Sequence, residues 1–86
     1  MEIEYKKSAL KNLSGYDKPT REKILKDING LTKNPPVGDI KPLTGRENEY
    51  RLRSGKYRII YEYILINNEK TLLIIKIDSR GEIYKS

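Results

Sequence analysis

The sequence predicts a small α+β domain, an antiparallel sheet packed against two N-terminal helices in the order β-α-α-β-β-β. Three observations carry this. Ile24, Leu25, Ile28 and Leu31 recur at helical spacing as one apolar stripe, with Arg21, Glu22, Lys26 and Asp27 around the rest. Glu49 to Tyr63 alternates strong strand formers with cations about a short Ser54-Gly55 connection, the pattern of a β-hairpin. Thr71 to Ile77 is apolar at nearly every position and so reads as a strand needing cover on both faces. Eighty-six residues make one domain, residues 1–86, with a modest core.

The elements follow in order. Ile3 to Tyr5 forms a short strand at an edge of the sheet. Ser8 is placed to cap a short helix through Leu13, and Gly15 to stop it. Asp17-Lys18-Pro19 opens the second helix, proline being tolerated in a first turn. Asn34-Pro35-Pro36 ends that helix, and a loop through Gly38 and Gly45 leads to the hairpin. Asn67-Asn68-Glu69 turns into the Thr71–Ile77 strand, Asp78-Ser79-Arg80-Gly81 breaks it, and Glu82-Ile83-Tyr84 closes the chain.

Composition narrows the chemistry. Without cysteine there are no disulfides and no thiolate nucleophile or metal site, and a reducing compartment is expected. Without histidine the usual general acid–base and the commonest metal ligand are missing, so no metal and no cofactor are expected. The acidic Met1-Glu2-Ile3-Glu4 start and the lack of a long apolar run argue against a secretion signal or membrane span, and a cytoplasmic location follows. The net charge of +6 is unevenly placed: residues 41–61 hold six cations (Lys41, Arg46, Arg51, Arg53, Lys56, Arg58) against Glu47 and Glu49. An excess so localised, and rich in arginine, is the footprint of a phosphate-bearing partner.

Strand geometry sharpens that point. Arg51 and Arg53 share one face of the hairpin while Tyr50 and Leu52 take the other. With a two- or four-residue connection, Arg51 is expected across from Arg58 and Arg53 across from Lys56, four cations backed by Leu52, Tyr57, Ile59 and Tyr61. A three-residue loop would break this pairing. Like charges directly opposite each other cost about 0.2–1 kcal/mol per pair, so such an arrangement implies an anion to receive.

The chain resembles the RelE/ParE toxin superfamily of bacterial and archaeal toxin–antitoxin systems. The resemblance runs from the opening strand to Tyr84. It is carried by Leu31-Thr32-Lys33-Asn34-Pro35, by Lys41-Pro42-Leu43-Thr44-Gly45, by Tyr50-Arg51-Leu52-Arg53-Ser54-Gly55-Lys56-Tyr57-Arg58-Ile59-Ile60-Tyr61 and by Asp78-Ser79-Arg80-Gly81-Glu82-Ile83-Tyr84. One branch of the superfamily cuts messenger RNA in the ribosomal A site; the other poisons DNA gyrase without cutting anything itself. The resemblance implies the first activity most directly: 2′-OH attack on the adjacent phosphate, leaving a 2′,3′-cyclic phosphate and a 5′-OH, with no metal. By resemblance, Arg58 stabilises the phosphate in the transition state, Arg80 contacts it and protonates the leaving group, and Tyr84 stacks on a base or orients the 2′-OH. Arg51 falls where the family commonly has a lysine. Arg53, with Lys41, Arg46 and Lys56, would hold flanking RNA phosphates.

The chain departs from the family pattern where proton transfer is concerned. Arginine stays protonated to about pH 12, so Arg51 is a poor base where a lysine could serve. A second family lysine is replaced by Glu49, which shares a strand face with Arg51 and Arg53; it is either a carboxylate base or a salt-bridge partner for a neighbouring arginine. Two alternatives stay open: a ParE-like toxin acting on gyrase, and a non-catalytic RNA-binding module. Either toxin reading implies a cognate antitoxin, and the nuclease reading implies the ribosome and mRNA as further partners. The Leu72–Ile77 strand and exposed helix faces are candidate docking surfaces for the antitoxin.

Overall fold

The structure, a computed structural model, describes residues 1–79. Its elements are β1 (Glu2–Tyr5), α1 (Lys7–Ser14), α2 (Lys18–Asn29) followed by a 3-10 turn (Gly30–Thr32), β2 (Asp39–Pro42), β3 (Glu49–Ser54), β4 (Tyr57–Ile66) and β5 (Glu69–Ser79). They form a five-stranded sheet of order β1-β5-β4-β3-β2 with both helices on one face. β2 to β5 pair antiparallel, as expected, but β1 runs parallel to β5, with Ile3 beside Leu72 and Tyr5 beside Ile74, which makes the sheet mixed.

Ala9 and Leu13 of α1, Ile24 and Ile28 of α2, and Leu31 of the 3-10 turn meet Leu52, Ile59, Tyr61, Leu72, Ile74 and Ile77 of the sheet in one buried cluster. Each fully buried Leu or Ile contributes about 1.5–3 kcal/mol relative to exposure. The apolar run of β5 is explained by its position, for β5 is interior, between β1 and β4, and both its edges are paired. A bulge adds to this. Ile60 pairs with Lys76 but Tyr61 pairs with Ile74, so Ile75 is extra and the face on which side chains point is reset. Leu72, Ile74 and Ile77 thereby all reach the helical core.

Three local expectations are corrected. Ser8 does not cap α1: the N-cap is Lys6, and the Ser8 hydroxyl donates to the carbonyl of Ile75, the bulged residue, at 2.8 Å. Asp39–Pro42, expected as loop, is an edge strand; four residues ending in proline give almost no strand signal, and proline is tolerated only at such an edge. Its entry depends on Gly38, at φ +142, where a Cβ would lie 2.6 Å from Leu52 Cδ1.

The third correction concerns register. The β3–β4 turn is Gly55-Lys56, so Ser54 pairs with Tyr57, Arg53 with Arg58 and Arg51 with Ile60. Gly55 at φ +60 in the first central position is the type II′ requirement, and Ser54, the last residue of β3, donates its hydroxyl to Asp27. The shift is by two residues, so each side chain keeps its expected face while its partner changes. Asp17 caps α2 as expected, its carboxylate accepting from Thr20 N–H at 3.1 Å. Among the described residues no helix is long and apolar enough to cross a membrane.

Candidate RNA-binding face

Directly paired residues share a face, so the surface opposite the helices reads as cross-strand rows. One row is Asp39–Arg53–Arg58–Asp78 across β2, β3, β4 and β5. The next is Lys41–Arg51–Ile60–Lys76. Beyond them lies an acidic border, Glu49–Glu62–Leu73–Glu4, that runs on to β1. The cations are thus concentrated on one half of the face, and like-charged Arg53 and Arg58 stand side by side.

Carboxylates hold most of these cations. Asp39 Oδ1 is 3.5 Å from Arg51 Nη2, and its Oδ2 is 3.9 Å from Arg53 Nε. Arg51 is only 8% exposed, so it is a clamped, nearly buried charge. Arg46 donates to Glu49 at 3.5 Å, and Lys76 Nζ lies 3.3 Å from Asp78. Arg58 differs. Among the described residues it has no ion pair, and its Nε is buried without a hydrogen-bond partner. A buried donor left unsatisfied costs about 1–3 kcal/mol, which an arriving anion would recover.

That guanidinium lines a cavity of about 220 Å³ with Leu43, Arg46, Glu49, Ile60, Ile75, Lys76 and Asp78. Three cations and two carboxylates converge there on an apolar floor. Of the residues singled out from sequence, Arg46, Glu49 and Arg58 come together in this cavity. Lys41, Arg51 and Arg53 lie beside it on the same face. Lys56 does not join them: it occupies the turn, 5.6 Å over the Tyr57 ring, in a cavity near Thr20 and Lys23 at the helical side. Arg80 and Tyr84 lie outside the described residues. Lys76 was not foreseen, although it is the only polar side chain in Leu72–Ile77 and that interruption was its signal.

Tyr50, Tyr61 and Tyr63 take structural roles. Tyr61 packs against Tyr50 and Tyr63, and the Tyr63 hydroxyl donates to Leu31 O at 2.8 Å. Burial, then the neighbouring Tyr63 and Tyr50, raise the Tyr61 phenol above its ordinary value, and burial followed by Tyr50 raises Tyr63. Both keep their protons and neither serves as a base. Among the described residues no cluster of three or more metal-ligating side chains exists.

The family model for the ParE toxin of the type II toxin–antitoxin system parDE matches residues 3–84. The chain belongs to this toxin family. A curated relative, RelE1 of Methanocaldococcus jannaschii, is 32% identical over 98% of this chain and 94% of its own length. The fold is similar to the crystal structure of a RelB–RelE antitoxin–toxin complex from Methanococcus jannaschii, with a TM-score of 0.71, 25% identity and coverage of 95% of both chains. It is also similar to the archaeal RelE–RelB complex from Pyrococcus horikoshii OT3, with a TM-score of 0.70, 27% identity and coverage of 93% and 94%. The isolated RelE toxin of E. coli shares the fold at a TM-score of 0.70, 24% identity and coverage of 98% and 90%.

Proposed function

We propose that this toxin is a ribosome-dependent, metal-independent mRNA endonuclease, held inactive by a cognate antitoxin. The observation that carries it is Arg58: a guanidinium with a free buried donor, in a cavity that also offers a carboxylate and further cations. Cleavage by 2′-OH attack needs an acceptor for the hydroxyl proton and fixed cations around the phosphate as its charge grows. Arg58, backed across the strand by Arg53, supplies the fixed charge. Glu49 is the acceptor, since Arg51 cannot release a proton and is tied to Asp39. Arg46, 3.5 Å from the Glu49 carboxylate, holds it in place. Arg53 and Lys41 carry flanking phosphates, and Arg80 and Tyr84 complete the site by their resemblance to family residues. The cytoplasm is where ribosome and message would be met, and the RelB partners in the similar archaeal complexes favour an antitoxin here.

A second reading is favoured by one observation, that the matching family model is the ParE one. Under it the cationic face docks on gyrase and no RNA is cut. Primer extension on a defined mRNA programmed into ribosomes separates the two. Cuts confined to the A-site codon with the native chain, and reduced at least about 10²-fold by Arg58→Ala, are the expected result. Intact message at protein levels that stop growth would instead overturn the endonuclease reading and move the search to gyrase.

A further inference from the structure

We propose that Lys76, and not the Arg80 to which the family resemblance gives this role, is the acid that protonates the leaving 5′-oxygen, an inference that rests on the endonuclease reading. Arg80, a guanidinium, would contact the phosphate without releasing a proton. Of the three cations lining the cavity, Arg46 and Arg58 are guanidiniums and do not release protons near neutral pH. The chain has no histidine and no cysteine, and among the described residues no tyrosine lines the cavity. Among the described residues there, Lys76 is the one cationic group with a proton to give.

Its position suits the task. β4 runs between β3 and β5, and it contributes Arg58; Glu49 enters the cavity from β3 and Lys76 from β5. Lys76 pairs with Ile60 and Asp78 with Arg58, so Lys76 and Arg58 are diagonal neighbours on one face, within reach of long side chains. The proton acceptor and the proton donor therefore approach a phosphate on Arg58 from opposite sides, as in-line displacement requires. Asp78, 3.3 Å from the Lys76 ammonium, holds it beside Arg58.

The step balances. The 2′-oxygen forms a bond to phosphorus and its proton passes to the Glu49 carboxylate. The bond from phosphorus to the 5′-oxygen breaks, its electron pair leaves with that oxygen, and the Lys76 ammonium supplies the proton. Transfer from Glu49 to Lys76 through water restores both groups.

The test uses the full-length chain, programmed ribosomes and two mRNAs, one all-oxygen and one with sulfur in place of the 5′-oxygen at the A-site scissile bond. A thiolate leaves without protonation. Lys76 is 58% exposed in its side chain, and both Lys76→Met and Lys76→Arg are compatible with the fold. Both variants are expected to cut the all-oxygen message 10²- to 10⁴-fold more slowly, roughly, and to approach the native rate on the sulfur substrate. Native speed of Lys76→Arg on the all-oxygen message would reduce Lys76 to a fixed charge and overturn the proposal. Equal losses on both substrates would overturn it as well. If the native chain cuts neither message, the endonuclease reading itself falls, and the assignment of Lys76 with it.

Discussion

Arg53 and Arg58 face each other directly across β3 and β4, and only Arg53 has a carboxylate within ion-pair distance among the described residues. The like-charge pair costs about 0.2–1 kcal/mol and the orphaned Arg58 donor adds to it. Stability is therefore given up at the point where, on the proposed function, an anion binds. Arg58→Met is expected to raise the urea midpoint, by roughly 1 kcal/mol of unfolding free energy, while abolishing A-site cleavage. A variant that loses activity and stability together would mean that Arg58 holds the sheet and not a phosphate.

On the proposed function, the same face would set the salt dependence of RNA binding. Each phosphate contact to single-stranded RNA contributes about 0.7 to the slope of log K against log salt. Arg53→Ala should flatten the slope by about that amount in filter-binding titrations of an RNA oligonucleotide. Lys56→Ala should leave it nearly unchanged, because Lys56 sits in the turn and lines the cavity on the helical side. A flattened slope for Lys56→Ala would extend the RNA path around the hairpin tip.

Asp39 is the carboxylate common to Arg51 and Arg53. Arg51 is nearly buried but Asp39 is half exposed, so the pair falls between a surface ion pair and a buried one. Asp39→Asn is expected to cost about 1–2 kcal/mol in chemical denaturation and to leave Arg51 an uncompensated charge. A loss below a few tenths of a kcal/mol would mean that Arg51 finds another partner.

What could be read from sequence was what depends on short-range periodicity. The Ile24, Ile28 and Leu31 stripe, the Asp17 cap and the two hairpins with their faces are visible because a few neighbouring residues determine them. β2 was not visible, since its pairing comes from β3 and its own residues, Asp39 to Pro42, are poor strand formers. The register of β3 and β4 agrees with Gly55 at the first central position of a type II′ turn, a signal that Ser54-Gly55 read as the connection had hidden. In that register Ser54 also reaches Asp27, a contact distant in sequence. The cationic face was legible because alternation survives a register shift of two, whereas its cavity was not. Lys76 reaches it from β5, and Arg46 reaches it from the loop after β2, through the order in which strands assemble.

The Ser54 and Asp27 contact gives a prediction with a defined pH window. Burial alone would raise the Asp27 carboxyl, but the Ser54 hydroxyl and the Lys23 ammonium outweigh it and hold the group below the usual aspartate value. A carboxyl depressed on folding stabilises the native state above its unfolded value of about 3.9, and that stability is lost as pH falls through the lower folded value. Ser54→Ala should therefore cost about 1.5–3 kcal/mol at pH 7, the range for a hydrogen bond to a charged group. The difference from the native chain should shrink as pH drops below about 4. In Asp27→Asn the acid limb of the stability curve should be shallower, while adding Ser54→Ala should cost less than it does in the native chain, the coupling expected of contacting groups. Urea melts of the four proteins at pH 7 and pH 3 check this, and a Ser54→Ala cost that is the same at both pH values would show that Asp27 is not the partner through which Ser54 acts.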